Sequence, residues 1–405
     1  MYFVAWAFKG FYKHHSFPCF SKKKIVAILE VSYIISALTR VSDCGSVLLE
    51  ISTRFAIRKR GIVFMKKIKE GYLLPSAAYT ATRSGIKYYA MLDKKPEIGD
   101  LVYGTVCYIG QHSSLENKRG RIHAINDGSR AVFVLGNRYA PDYYEGLIPD
   151  ELPGNIDMLS RSGVIGVMRC KNANIKDPTR VIVEGYVVDK NGKVLNTRDI
   201  CRVFPKRQNK DPNRSKMILI VGTSMNSGKS LSAAACCWAL TTLGYKVRAS
   251  KVTGTASLKD ILHMEDSGAH PVTDFTYLGY PSTYMLDKPD LLNIFNTLDL
   301  KYANNPRNFW VVEFADGILQ RETEMLLKCD DVRSRIHKLI FTAHDAFGVI
   351  GGLRILKDRF DLSADAISGI CSSSPLGIRE LQNFTELPIF NNVQRDIKQL
   401  APILV

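Results

Sequence analysis

The sequence predicts an α/β fold, in which a doubly wound, mostly parallel sheet in the C-terminal half follows a small all-β domain. Two observations support this prediction. From Met217 onward, continuous apolar runs alternate with helix-forming stretches, a pattern typical of buried parallel strands joined by helices. From Glu97 to Val203, short runs of β-branched and aromatic residues are instead separated by turn sequences, as in antiparallel β domains.

Composition divides the chain further. A length of 405 residues accommodates two or three domains. Hydrophobic residues make up 46% and charged residues 23%, which is typical of a globular protein with an ordinary core. The predicted segments are an atypical extension over residues 1–64, a mainly β domain over 65–205, a polar linker over 206–216 and the α/β domain over 217–405.

The first 64 residues are basic and aromatic without any period. They hold ten Lys or Arg against three acidic residues, which accounts for +7 of the formal net charge of +16. The apolar run Ile25–Leu38 is shorter than the roughly 20 residues that a membrane-spanning helix needs. Three interpretations stay open: a membrane-associated or targeting segment, a structured extension, or an untranslated stretch before a start at Met65, which we favour. Because this segment holds much of the excess charge, we see no strong nucleic-acid signal in the remainder.

Five segments of the β domain have the composition of strands, namely Leu101–Ile109, Ala131–Leu135, Val164–Arg169, Arg180–Val188 and Val194–Cys201. A turn sequence between the last two predicts a hairpin, and the overall spacing is typical of a small barrel or sandwich. Two groups of polar residues could line a substrate surface, but we interpret them as solvated loop residues. They are Gln111, His112, Glu116, Arg119 and Arg121, and Asn137, Arg138, Tyr139, Asp142 and Glu145.

The most specific signal is a phosphate cradle. The apolar run Met217–Val221 leads directly into the glycine-rich sequence Gly222–Ser230, and a helix-forming run follows at Leu231–Leu243. Glycines let backbone N–H groups wrap phosphates, and the helix N-terminus adds a partial positive charge. We expect the Lys229 ammonium to reach the β- and γ-phosphates and the Ser230 hydroxyl to bind Mg²⁺. The residues assigned to nucleotide binding are Gly222, Thr223, Asn226, Ser227, Gly228, Lys229, Ser230 and Leu231.

The cradle opens with Gly-Thr and has five residues between its glycines, where the usual P-loop pattern has four. In this it resembles the dethiobiotin synthetase and cobyrinic acid a,c-diamide synthetase group of P-loop enzymes. The resemblance extends to Ser250–Gly254, at the end of the second predicted strand, and implies that Lys251 lies beside the substrate and the transferred phosphate. It covers Met217 to about Pro388, and it is the reason for expecting ATP as the nucleotide.

A third predicted strand, Phe309–Glu313, resembles the family segment in which a glutamate binds Mg²⁺, so the resemblance implies this role for Glu313. Phe314 stands where the family has a glycine, and Asp316 adds a second acidic residue. Magnesium prefers oxygen ligands, usually one or two carboxylates together with phosphate oxygens. We therefore assign Ser230, Glu313 and Asp266 to the metal site, although Asp266 is equally well explained as an acidic residue at a helix end.

Further strands are predicted at Lys338–Thr342 and Ala366–Ile370. Ligands of open α/β sheets bind at the carboxyl ends of the strands, and His344 and Asp345 follow the first of these two. The catalytic candidates are therefore Lys229, Lys251, Asp316, His344 and Asp345. The stretch His270–Tyr284 is interpreted as a loop that serves either as a substrate-specific insert or in packing.

Together these features predict an ATP- and Mg²⁺-dependent enzyme that activates a carboxylate or similar small-molecule oxyanion by phosphoryl transfer, since such chemistry needs mainly positioned positive charge. The alternative is a regulatory or chaperone-type NTPase that acts as a nucleotide-driven switch. The expected partners are a nucleotide and an unidentified small molecule; a homodimer is left open, and membrane association is not expected. Nine cysteines without a CxxC pair favour a reducing, cytoplasmic environment.

Overall fold

The computed structural model describes residues 54–58, 61–201 and 213–405, so the expectations for residues 1–53 and for most of the linker lie outside the described residues. A strand at Gly61–Lys67 crosses the predicted domain boundary at Met65 and pairs antiparallel with Arg54–Arg58. The sheet of the β domain therefore begins before that boundary. Within the described ranges, no helix is long and apolar enough to cross a membrane.

The β domain is a barrel with additional edge strands. Its described strands are β1 Arg54–Arg58, β2 Gly61–Lys67, β3 Tyr88–Ala90, β4 Leu101–Tyr108, β5 Ser114–Glu116, β6 Ile122–Ala124, β7 Arg130–Leu135, β8 Arg138–Tyr139, β9 Tyr144–Leu147, β10 Asn155–Met158, β11 Val164–Lys171 and β12 Thr179–Val188. Neighbouring strands pair in the order β12, β4, β7, β11, and β10 closes the ring because it pairs with both β11 and β12. All five strands contribute side chains to one buried cluster, which includes Val102, Phe133, Ile156, Ile165 and Val181.

Four of the five predicted strands of this domain are confirmed, as β4, β7, β11 and β12. The fifth, Val194–Cys201, is wrong: after the turn, only isolated bridges form at Val194 and Asn196. Polar side chains explain the difference, because they tie this segment to neighbouring loops. The Asn196 amide donates to the carbonyl of Ile98 at 2.9 Å, and the Thr197 hydroxyl donates to the carbonyl of Gly279 at 2.6 Å.

The C-terminal domain contains a six-stranded parallel sheet. Its described strands are β13 Lys216–Gly222, β14 Lys246–Lys251, β15 Val272–Asp274, β16 Asn308–Glu313, β17 Ile336–Ala343 and β18 Ala366–Gly369, in the spatial order β15–β14–β16–β13–β17–β18. Its described helices are α1 Lys229–Thr242, α2 Leu258–Asp266, α3 Lys288–Tyr302, α4 Arg321–Leu327, α5 Asp330–Arg333, α6 Ala346–Phe360, α7 Pro375–Gln382 and α8 Ile397–Leu404. The strands predicted in this half are confirmed, with β15 added at the edge.

Side chains of the central strand β13 alternate between two buried clusters, as the two-residue period of a strand requires. Met217, Leu219 and Val221 pack in one cluster, together with residues of α3 and α6. Ile218 and Ile220 pack in the other, together with residues of α1, α2 and α8. The sheet is thus buried on both faces, which explains why its strands are almost continuously apolar in sequence.

The two domains are in contact at several points. The rings of Tyr79 and Tyr277 stack with their centroids 3.9 Å apart, and the Tyr284 hydroxyl donates to the Glu145 carboxylate at 2.7 Å. Both tyrosines of the α/β domain belong to the stretch His270–Tyr284, whose side chains are mostly buried. Of the two interpretations of this stretch, packing is therefore the one that the structure supports.

Candidate functional site

The loop between β13 and α1 requires glycine at both of its ends. A Cβ atom at Gly222 would lie 2.2 Å from Thr342 Oγ1 and 2.5 Å from Ser227 Oγ. Gly228 has a φ of +96°, and a Cβ there would lie 2.8 Å from the Cα of Gly369. Because α1 begins at the next residue, its free backbone N–H groups open into the loop. This strand–loop–helix arrangement has the geometry of a phosphate-binding loop at a helix N-terminus.

The residues assigned to nucleotide binding fall into two groups. Those that line a cavity beside the loop are Asn226, Gly228, Lys229, Ser230 and Leu231. The others, Gly222, Thr223 and Ser227, shape the loop: the Ser227 hydroxyl, for example, lies 2.9 Å from the Thr342 hydroxyl and is fully buried. The Lys229 ammonium donates to the carbonyl of Ser224 at 2.7 Å. Burial lowers the pKa of Lys229, while the charges of Glu313 and Asp316 oppose this shift.

Ser230 and Glu313 meet as the metal prediction requires. The Ser230 hydroxyl lies 3.1 Å from Glu313 Oε1 and 3.3 Å from Asp260 Oδ1. The second oxygen of Glu313, Oε2, is buried and has no hydrogen-bond partner in the described part of the chain. Burial raises the pKa of Glu313. A buried carboxylate oxygen without a partner, next to a hydroxyl and a second carboxylate, fits the oxygen set that Mg²⁺ prefers.

Asp266 does not take part in this arrangement, and Asp260 occupies the position that was predicted for it. Asp266 is the last residue of α2 and is exposed, whereas Asp260 lies in the first turn of the same helix, beside Ser230. The two aspartates are six positions apart in the helix, which separates them by about 9 Å along the axis. Within residues 64–201 and 213–405, no group of three or more His, Cys, Asp or Glu residues could hold a metal by itself. A Mg²⁺ ion here would therefore also need the phosphate oxygens of a nucleotide.

Lys251 and Asp316 lie at the same end of the sheet. Lys251 ends β14, directly opposite Glu313 in the register of β16, and its ammonium forms an ion pair with Asp260. Burial opposes the charged form of Lys251, but Asp260 and Glu313 outweigh it and raise the pKa above its usual value. Asp316 follows β16 and lines the cavity; burial raises its pKa, whereas Lys229 and Lys251 act in the opposite direction.

His344 and Asp345, which were catalytic candidates, do not line the cavity beside the cradle. Asp345 caps α6, since its Oδ1 accepts a hydrogen bond from the Gly348 N–H at 2.7 Å. His344 is exposed, and its Nε2 lies 3.2 Å from the carbonyl of Met225. An aspartate between a strand and a helix is a common N-cap, and this role explains its place in the sequence.

The cavity of about 450 Å³ beside the cradle is lined by both domains. Its α/β side carries Lys229, Ser230, Lys251, Asp260, Glu313 and Asp316, and its β side carries His112, Glu116, Arg138, Tyr139 and Tyr143. The interpretation of His112, Glu116, Arg138 and Tyr139 as solvated loop residues is therefore wrong, whereas Arg119 and Arg121 are exposed as expected. Strand β8, which positions Arg138, has only two residues and gave no signal in the sequence.

No protein-family model matches this chain, and no curated protein matches it. Among solved structures, it is similar to the signal recognition particle receptor FtsY from Elizabethkingia anophelis in complex with GDP, with 11% identity over 51% of this chain and 70% of that chain and a TM-score of 0.34. A second structure of FtsY from that organism has 13% identity over 51% of this chain and 71% of that chain, with a TM-score of 0.30. Similarity at this level supports no inference about this chain, and the comparisons add no support for the dethiobiotin synthetase resemblance.

Proposed function

We propose that this protein binds a Mg²⁺-nucleoside triphosphate at Gly222–Ser230 and transfers its γ-phosphoryl group to a small-molecule oxyanion such as a carboxylate. The observation that carries the proposal is the extent of the cavity. It continues from Lys229 and Ser230 to side chains of a second domain, among them Arg138. A domain that only bound and hydrolysed a nucleotide would not need a separate polar wall facing the phosphate end.

The proposed chemistry follows from the position of the charges. An oxygen of the acceptor attacks the γ-phosphorus, the bond from this phosphorus to the bridging oxygen breaks, and a nucleoside diphosphate leaves. Lys229 and Lys251 would stabilise the negative charge that develops on the transferred group, because both ammonium groups are held in place before the reaction. Mg²⁺, held by Ser230, Glu313 and Asp260, would supply further compensation of phosphate charge when it is bound.

We propose ATP as the nucleotide on the resemblance of the cradle to that of the dethiobiotin synthetase group; the sequence contains no Asn-Lys-x-Asp motif of the kind that reads guanine. The test measures phosphate and nucleoside diphosphate release from ATP and from GTP, with and without a pool of small carboxylic acids. Stimulation of turnover by the pool supports the proposal. If the pool leaves turnover of both nucleotides unchanged, the proposed transfer is wrong.

A substitution of Lys251 tests the proposed transfer more specifically. Lys251→Ala should lower acid-stimulated turnover by about 10²–10³-fold, as expected for loss of a group that stabilises the transition state, while nucleotide affinity changes much less. Lys246→Ala is the matched control, because Lys246 begins the same strand and is exposed at its other end. Equal effects of the two substitutions would contradict the role of Lys251.

A nucleotide-driven switch is the second candidate, and one observation favours it. Two large apolar side chains in segments that approach the cradle are exposed: Phe347 is 88% exposed and Leu319 is 54% exposed. Phe347 precedes Gly348 and Leu319 lies two residues after Gly317, and a Cβ at either glycine would contact Thr223. A protein partner that docked on these side chains could sense the nucleotide. In that case the partner, and not the acid pool, would stimulate hydrolysis, and Lys251→Ala would leave the slow basal rate largely intact.

A further inference from the structure

Arg138 is an unusual residue of the cavity wall, because its charge is buried and no carboxylate of the described residues forms an ion pair or a hydrogen bond with it. The side chain is only 6% exposed. Its Nε is buried without any hydrogen-bond partner, and the guanidinium forms no ion pair with a carboxylate of the described residues. Buried arginines are normally paired, since removing a cation from water is costly unless an anion or several acceptors replace the water.

The groups around Arg138 do not supply that compensation. The Nη1 of Arg138 lies 3.0 Å from the Nε2 of His112. This histidine Nε2 also lies 3.1 Å from the carbonyl oxygen of Leu159. One ring nitrogen either accepts from the arginine or donates to the carbonyl, so it cannot serve both. Burial, reinforced by the charge of Arg138, lowers the pKa of His112 to about 3, so the imidazole is neutral at physiological pH.

None of the remaining neighbours in the described ranges forms an ion pair with Arg138. The guanidinium carbon lies 5.0 Å from the centre of the Tyr143 ring, a contact that stabilises a cation weakly. Arg161, which is exposed and also lines the cavity, adds a second positive charge. Asp316 acts on Arg138 through space, and Glu116 already accepts from the Ser76 hydroxyl at 2.6 Å and from the Leu258 N–H at 3.0 Å. The described residues therefore leave room for an anion to bind Arg138.

We propose that Arg138 anchors an anionic group of the acceptor, a carboxylate or a phosphate, in a subsite formed with His112 and Tyr143. This inference rests on the phosphoryl transfer proposed above, and it restricts the substrates to small anions. The guanidinium would bind the anion directly, since a planar fork of N–H donors matches a carboxylate or phosphate. Neutral His112 would hold the fork in position without adding a competing charge.

The first experiment detects the anion without any nucleotide. Thermal unfolding is followed with and without millimolar succinate, and separately with inorganic phosphate, for the wild-type protein and for Arg138→Met, Arg138→Lys, Lys229→Ala and Arg119→Met. Arg119 is exposed in the same domain and serves as the control. Lys229→Ala weakens anion binding in the cradle. It therefore distinguishes a Tm shift caused by binding in the cradle from one caused by binding at Arg138. We expect at least one probe to raise Tm in all variants except Arg138→Met, with partial recovery in Arg138→Lys.

Two results of this experiment overturn the inference. One is a shift that persists in Arg138→Met and disappears in Lys229→Ala, which places the anion in the cradle. The other is the absence of a shift in the wild-type protein with both probes. Without probes, Arg138→Met should unfold at the same temperature as the wild type or higher, because a buried unpaired charge has been replaced by an apolar chain. A lower Tm together with a retained anion shift would make Arg138 a structural residue.

A kinetic experiment separates failure of this inference from failure of the proposed function. With an acid that stimulates turnover, Arg138→Met should raise the KM for the acid at least tenfold and change kcat less. The reason is that Arg138 would bind the anchored group equally well in the ground state and in the transition state. Acid-stimulated turnover with an unchanged KM in Arg138→Met would refute the subsite and leave the transfer standing. An Arg138-dependent anion shift without acid-stimulated turnover would refute the transfer and leave the subsite standing.

Discussion

Replacing Glu313 by glutamine tests the metal site, because it removes one negative charge and changes the size of the side chain very little. Glu313 is 2% exposed, its Oε1 lies 3.1 Å from the Ser230 hydroxyl, and its Oε2 has no partner in the described structure. The free oxygen is the one that would bind the ion. In Glu313→Gln a neutral amide takes its place, and either its oxygen or its NH₂ group must face the metal.

The expected magnitude follows from the loss of one charge-assisted contact. Such a contact is worth about 1.5–3 kcal/mol, and this corresponds to a factor of roughly 10–150 in an equilibrium constant. We therefore expect the Mg²⁺ concentration for half-maximal nucleotide binding to rise by that factor in Glu313→Gln. Asp260→Asn should act in the same direction, although it also breaks the ion pair with Lys251.

In the assay, ATP binding is measured by calorimetry at a series of Mg²⁺ concentrations. The Tm of each variant shows whether it is folded. Asp266→Asn is the matched control, since Asp266 lies on the same helix as Asp260 but is exposed at the far end. The control should be within about 0.5 kcal/mol of the wild type, as is usual for surface substitutions. A stronger Mg²⁺ requirement in Asp266→Asn than in Glu313→Gln would refute the placement of the metal.

Three other predictions concern the cradle and the stability of the sheet. Lys229→Ala should weaken ATP binding by at least about 1.5–3 kcal/mol in a folded protein, because its ammonium compensates phosphate charge, and unchanged affinity in calorimetry would refute the cradle assignment. Gly222→Ala should destabilise the protein by about 1–3 kcal/mol in urea unfolding, since its Cβ would lie 2.2 Å from Thr342 Oγ1; equal stability would show that the loop tolerates a side chain. Burial raises the pKa of Asp274 from 3.8 to about 6. Its contribution to the free energy of unfolding is therefore fully present below pH 3.8 and is lost as the pH rises through 6. This amounts to about 2 kcal/mol between pH 4 and 7. Asp274→Asn should therefore flatten the pH dependence of the unfolding free energy. An unchanged slope would contradict a raised pKa of Asp274 in the folded protein.

Local sequence was sufficient for the cradle and for the strands that carry its neighbours. Gly222, Gly228 and Lys229 stand in a fixed order between a strand and a helix, and Lys251 and Glu313 end apolar runs, so their common location at one edge of a parallel sheet follows from the fold class. The placement of an acidic residue on α2 was harder to predict. The choice between the two aspartates of this helix depends on where the helix begins, and boundaries are the least certain part of a sequence-based assignment.

The β side of the cavity could not be predicted, for a different physical reason. Arg138 and His112 are 26 residues apart and meet only because the barrel closes, so no local pattern records their contact. Their surroundings are polar and turn-rich in sequence, which is equally typical of solvated loops. Asp345 shows the converse error: its position after a strand suggested chemistry, but a helix N-cap accounts for it.

The most direct test of the central claim follows the γ-phosphoryl group itself. The protein is incubated with Mg²⁺, γ-³²P-labelled ATP and the pool of small carboxylic acids, with hydroxylamine present to trap acyl phosphates, and the products are separated by chromatography. The proposed function predicts acid-dependent label in an organic phosphate, or acid-dependent hydroxamate together with labelled inorganic phosphate, and a large decrease of both in Lys251→Ala. Label that appears only as inorganic phosphate, at a rate independent of the acids and of Lys251, would contradict it.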